Sequence, residues 1–136
     1  MKKLLFLLIF TAVLTANCDH NNKSDCKMAF CTEEFRYITI LIRHSSDSSA
    51  VILTDYKVIR ISDNKDLTLP DNVLPVNSGY YPLVNDGQLN FLRNNITEIE
   101  FQGYIQNIMV IKRHYDVSAD CCHVSLVSGE AVSYIN

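Results

Sequence analysis

The chain has 136 residues, no tryptophan, four glycines and three prolines. The glycines (Gly79, Gly87, Gly103 and Gly129) are dispersed, so no glycine-rich loop exists to cradle a phosphate. No Cys-x-x-Cys pair occurs, which removes the commonest spacing of zinc and thiol-redox sites. Basic residues are scattered, 12 Lys+Arg against 15 Asp+Glu for a net charge of −3. Without a basic stripe there is no electrostatic footprint for nucleic acid. For the same reason the body of the chain has no charge-based attraction to an anionic membrane. No segment carries apolar residues at helical spacing for three turns, and Leu89 to Ile96 offers a helical turn at most. Internal repeats are also missing.

What is present begins with a leader. Met1-Lys2-Lys3 is basic, Leu4 to Leu14 is nearly all apolar, and Thr15-Ala16-Asn17 is small and polar. That order is the pattern of a secretory signal over residues 1–17. The apolar run is about half of the ~20 residues that a membrane-crossing helix needs. Once Lys2 and Lys3 leave with the signal, ten basic residues face fifteen acidic ones, a net of −5. Residues 18–30 begin with the polar stretch Asp19 to Asp25, which is too poor in apolar groups to pack and reads as a tether. The third segment, 31–136, is long enough for one sizeable core.

Leu14-Thr15-Ala16-Asn17-Cys18 resembles the lipobox of bacterial lipoproteins, whose signal is cut just before a cysteine that becomes acylated. Thr15 and Asn17 stand where that family usually has Leu and a small residue. The resemblance implies a lipid on Cys18 and an envelope address. Cleavage after Ala16, giving a secreted protein, is the alternative. The triplets starting at Asn22 and Asn95 match a glycosylation pattern. In a bacterial protein they carry no meaning.

The rest alternates like strands. Phe35 to His44 places Ile38, Ile40 and Ile42 on one face. Val51 to Ile61 forms a second strand region, and Leu67 to Leu69 a short one ended by Pro70. Tyr80 to Val84 and Leu89 to Leu92 flank Asp86-Gly87, a hairpin signal. Pro82 puts the first of these at a sheet edge. Thr97 to Ile105 turns Ile99, Phe101 and Ile105 inward and Glu98, Glu100 and Gln102 outward. Gly103 marks a bulge or a close backbone approach. Ile108 to Val117, Cys122 to Val127 and Ala131 to Ile135 complete the set. The expected fold is therefore all-β, an antiparallel sandwich of the immunoglobulin or transthyretin kind with about seven strands.

Two blocks add a resemblance. They are Cys31-Thr32-Glu33-Glu34-Phe35-Arg36, and Tyr115 to Val124 followed by Val127-Ser128-Gly129. Both are similar to a family of small Bacteroidota lipoproteins with a carboxypeptidase-regulatory or transthyretin-like sandwich. The likeness runs from Cys31 to Ile135 and implies the fold and the address, with no activity attached. Ser45 to Ala50 lacks the Gly-x-Pro often found in that family's first turn.

With Cys18 lipidated, Cys26, Cys31, Cys121 and Cys122 remain. In an oxidising compartment an even set implies disulfides. Neighbouring cysteines rarely bond each other, so links from the N-terminal pair to the C-terminal pair are preferred, in either of two pairings. The competing reading makes Cys121, Cys122 and His123 a metal or thiol site. Adjacent strand residues point to opposite faces, which argues against it. His44, His114 and His123 are expected as surface or hydrogen-bonded structural residues, and His20 falls in the tether. Asp55, Asp63, Asp66, Asp71, Glu98, Glu100, Asp116 and Asp120 show no acid/base pairing. Asp63-x-x-Asp66 reads as a turn before it reads as a calcium loop. Tyr80-Tyr81-Pro82 reads as edge-strand packing, with an exposed aromatic patch as the alternative. No cofactor or metal is implied. The functional expectation is a non-enzymatic envelope module held to a membrane by lipid, which binds a protein or glycan partner or serves as an accessory subunit.

Overall fold

A computed structural model describes residues 26–70 and 78–136. The leader, Cys18, the tether as far as Asp25 (with His20 and Asn22), Asp71 and Pro75 lie outside the described residues. Among the described residues the chain forms eight strands in two sheets, a β-sandwich. The strands are β1 (Tyr37–His44), β2 (Asp55–Arg60), β3 (Lys65–Asp66), β4 (Tyr80–Asn85), β5 (Thr97–Ile105), β6 (Ile108–Ala119), β7 (Val124–Ser128) and β8 (Val132–Ile135). The smaller sheet runs β4-β1-β8, and the larger runs β3-β2-β5-β6-β7. All pairings are antiparallel except β1 with β8, which is parallel. A wholly antiparallel sandwich was expected, and the last strand returning beside the first makes this one exception. β4 lies at an edge, where Pro82 costs no ladder hydrogen bond.

The core is the space between the sheets. Ile40 and Ile42 of β1 and Leu83 of β4 face Val58 of β2, Ile99 and Phe101 of β5, and Tyr115 and Val117 of β6, all buried. Tyr81 from the small sheet meets Tyr56 and Phe101 from the large one, with ring centroids 5.6 and 6.0 Å away. These are tilted contacts, the arrangement that opposes ring edges to ring faces. The Tyr81 hydroxyl accepts from Leu53 N–H at 2.7 Å and donates to Val51 C=O at 2.9 Å. Of the Tyr80-Tyr81 pair only Tyr80 is exposed, so Tyr81 is a core residue and the aromatic patch does not form there.

Turns account for the other differences. Gln106 and Asn107 both have positive φ (50° and 66°), the requirement of a tight two-residue hairpin, and they join β5 to β6. Gly103 shows the expected bulge, and what crowds it is side chains and not another backbone. The register shifts beside it, and a Cβ there would lie 2.6 Å from Leu53 Cδ1 and 2.7 Å from Ile111 Cγ2.

Asp86-Gly87 is not a hairpin. Asn85 Oδ1 accepts from Gly87 N–H at 2.9 Å while Gln88 Oε1 accepts from Asn85 N–H at 3.1 Å. This reciprocal cap starts a helical turn that runs into the one-turn helix α1 (Leu89–Leu92). The chain thereby crosses from the small sheet to the large one instead of doubling back. Two further boundaries move. Cys122 lies in a loop, and β7 begins at Val124. β3 is Lys65–Asp66, with Leu67 and Leu69 buried just beyond it.

Candidate functional site

The residues singled out by their chemistry converge at one end of the sandwich. Two disulfides, Cys26–Cys121 and Cys31–Cys122, tie the segment before β1 to the loop between β6 and β7. Of the two cross-linked pairings the sequence left open, the chain adopts this one. Residues 26–30, counted with the tether from sequence, are therefore bonded to the sandwich already at Cys26. The Cys121 and Cys122 sulfurs are engaged in these bonds and are not thiolate ligands. The Cys121, Cys122, His123 metal set is thus not assembled, and no cluster of three or more His, Cys, Asp or Glu suited to a metal occurs among the described residues.

The His123 ring is engaged by a carboxylate and a hydroxyl. Its Nδ1 lies 2.8 Å from Asp86 Oδ2 and its Nε2 lies 3.0 Å from Thr32 Oγ1. Asp86 also accepts from Arg36 N–H and Val124 N–H, each at 2.8 Å. Burial raises the Asp86 pKa, but the His123, Arg36 and Val124 hydrogen bonds outweigh it and the carboxyl sits below its ordinary range. An ionised carboxylate only accepts, so Nδ1 carries a proton. With a neutral imidazole, Nε2 then accepts from the Thr32 hydroxyl. Asp120 Oδ1 accepts from Cys122 N–H and His123 N–H at 2.7 and 2.8 Å, which holds the loop that presents the histidine. Those two backbone bonds lower the Asp120 pKa as well.

The array joins three segments distant in sequence. They are the lead into β1 (Thr32, Arg36), the turn after β4 (Asp86) and the β6–β7 loop (Asp120 to Val124). Carboxylate, imidazole and hydroxyl stand in the order that activates a hydroxyl nucleophile. The surrounding donors are arranged otherwise. The N–H groups of Arg36, Cys122, His123 and Val124 all point at Asp86 or Asp120, so none of these four can hold an oxyanion. What the arrangement does in the ground state is clamp. No family model, curated protein or solved structure matches this chain.

A second polar group covers the outer face of β5 and β6. Glu100, expected to face water, is nearly enclosed by Lys112 (2.9 Å), His114 (2.9 Å) and Gln102. Lys112 and then Gln102 draw its pKa down from 4.5 to about 2. His114 also reaches Glu98 at 3.2 Å. Asp63 forms a two-point pair with Arg60, and Asp66 accepts from Thr68 N–H, so the faint calcium motif is a turn. Phe91, beside a depression lined by Arg60, Asn95 and Glu98, has Arg60 and Lys65 over its ring at 5.2 and 5.4 Å.

The sequence points to His123 and the cysteines but not to Asp86 and Thr32. In sequence Asp86 is half of a turn signal. No local feature announces a partner 37 residues away.

Proposed function

We propose that this protein is a lipid-anchored cell-envelope module that works by binding a protein or glycan partner, of the small Bacteroidota lipoprotein type its two blocks resemble. The observation that carries this reading is the position of the two cystines. Disulfides persist in oxidising compartments and are rare in the cytosol. Here both lie where the segment that follows the leader and Cys18 joins the sandwich. A load applied through a lipid on Cys18 would reach the folded body at Cys26 and pass through a covalent bond to Cys121. The Asp86–His123–Thr32 clamp ties the same joint to the turn after β4. The engaged sulfurs count against the thiol or metal alternative.

The test is the intact mass of the mature protein from cells that make it. The expected species lacks residues 1–17, carries acyl mass on Cys18 and contains two disulfides. A cytosolic species that retains residues 1–17 and has free thiols overturns the reading. So does a hydrolase or redox turnover that depends on one side chain.

A further inference from the structure

Cys26-Lys27-Met28-Ala29-Phe30-Cys31 is a loop fastened at both ends to two consecutive residues, Cys26 to Cys121 and Cys31 to Cys122. A turn within it is closed by Ala29 N–H donating to Cys26 C=O at 3.2 Å. Phe30 is 99% exposed and Met28 is 84% exposed. A single exposed apolar side chain on a protein surface is ordinary. Two large ones on a six-residue loop, held out by covalent bonds so that neither settles on the sandwich, are not. Phe35, just beyond the loop, is half exposed as well.

The occupant follows from the chain between the loop and Cys18. Seven residues separate Cys18 from Cys26, and covalent geometry limits the eight Cα–Cα steps between the two cysteines to roughly 29 Å even when fully extended. With an acyl chain of Cys18 in a bilayer, the tether keeps this loop within that distance of the membrane. We infer that the Cys26–Cys31 loop is a second membrane contact, which inserts Phe30 and Met28 into the interfacial layer of the leaflet that holds the lipid. Apolar side chains on a mostly uncharged loop bind at that depth by burying surface, and a lysine beside them keeps its ammonium among the headgroups. Lys27 is that lysine. It is the only charge between Cys26 and Cys31; Asp25 directly precedes the loop and Glu33 and Glu34 follow it, Glu34 being paired with Arg36 at 3.0 Å. The contact therefore needs no anionic lipid. The inference rests on lipidation of Cys18.

The absence of tryptophan supplies the experiment. Phe30→Trp places a single indole on the loop, at a position so exposed that folding is not at stake. Ile108→Trp does the same at the far hairpin, where Ile108 is exposed. The mature acylated chain is floated with phosphatidylcholine vesicles whose acyl chains are either plain or brominated. Emission from F30W falls several-fold in brominated vesicles, and emission from I108W does not change. Equal F30W emission in both vesicles, with acyl mass present on Cys18, sinks the inference and leaves the anchor standing; the loop then faces water or a protein. A mass that shows no acyl group on Cys18 removes both.

Discussion

The Asp86 carboxylate and the His123 imidazole, 37 positions apart in sequence, meet at 2.8 Å. Each is fixed by backbone: Asp86 by the N–H groups of Arg36 and Val124, and His123 by a loop folded around Asp120. The contact is what brings the turn after β4, the lead into β1 and the β6–β7 loop into one unit.

Replacing Asp86→Asn tests that unit. An amide keeps one acceptor oxygen and puts an NH2 group where N–H donors already converge. The expected loss is about 1–3 kcal/mol, the cost of leaving a buried polar group unsatisfied. Urea denaturation measures it. Amide exchange at Arg36 and Val124 should accelerate more than at Phe101 in the core. Unchanged exchange at both positions would show that the clamp holds nothing.

Acid should weaken the fold through Glu100 and Asp86. Both have folded-state pKa values below their ordinary ones, Glu100 falling from 4.5 to about 2. The stability such groups contribute is complete above the unfolded pKa and disappears as pH falls through the folded pKa. For Glu100 that window runs from about 4.5 down to about 2. The Glu100→Gln variant should be less stable at neutral pH and lose less on acidification across that window. Parallel curves for the two proteins would contradict the Lys112–Glu100–His114 assignment.

The two disulfides should act non-additively. Cys26–Cys121 and Cys31–Cys122 span 95 and 91 positions and enclose almost the same chain. While one is intact, the other closes only the small ring made with residues 26–31. On the chain-entropy estimate, losing either bond alone costs about 2 kcal/mol, and losing both costs about 7 kcal/mol. Paired Cys→Ala variants in urea decide this. Equal and additive losses would mean that the entropic account does not apply here.

Tyr81→Phe keeps the ring packed against Tyr56 and Phe101 and removes only the hydroxyl. Leu53 N–H and Val51 C=O then lose their buried partner. A loss of about 1–3 kcal/mol is expected by urea denaturation. A neutral substitution would show that water reaches that gap.

Strand content was legible because strands carry their own period. β5 is Thr97–Ile105, with Ile99 and Phe101 buried, as the alternation required. Gly103 was legible too, since a glycine that interrupts an inward row marks a point where the neighbours leave no room for a side chain. Asp86-Gly87 misled because the same residues serve a hairpin or a capped helical turn. The Asn85–Gln88 reciprocity that decides between them is itself readable in sequence. The outward face of Glu100 was legible, but its enclosure there was not. Alternation assigns a face, while the depth of a side chain on that face depends on what the neighbouring strand places opposite, here Lys112 and His114.

From its order of residues alone this protein has a leader pattern, an all-β body and four cysteines that favour links between its two ends. Those properties are local or counted, set by hydrophobic period and by the strain of joining adjacent cysteines. Which cysteine meets which, the return of β8 alongside β1, and the convergence of Thr32, Asp86 and His123 were decided by tertiary structure. Each depends on segments that become neighbours only when two sheets close over a shared core.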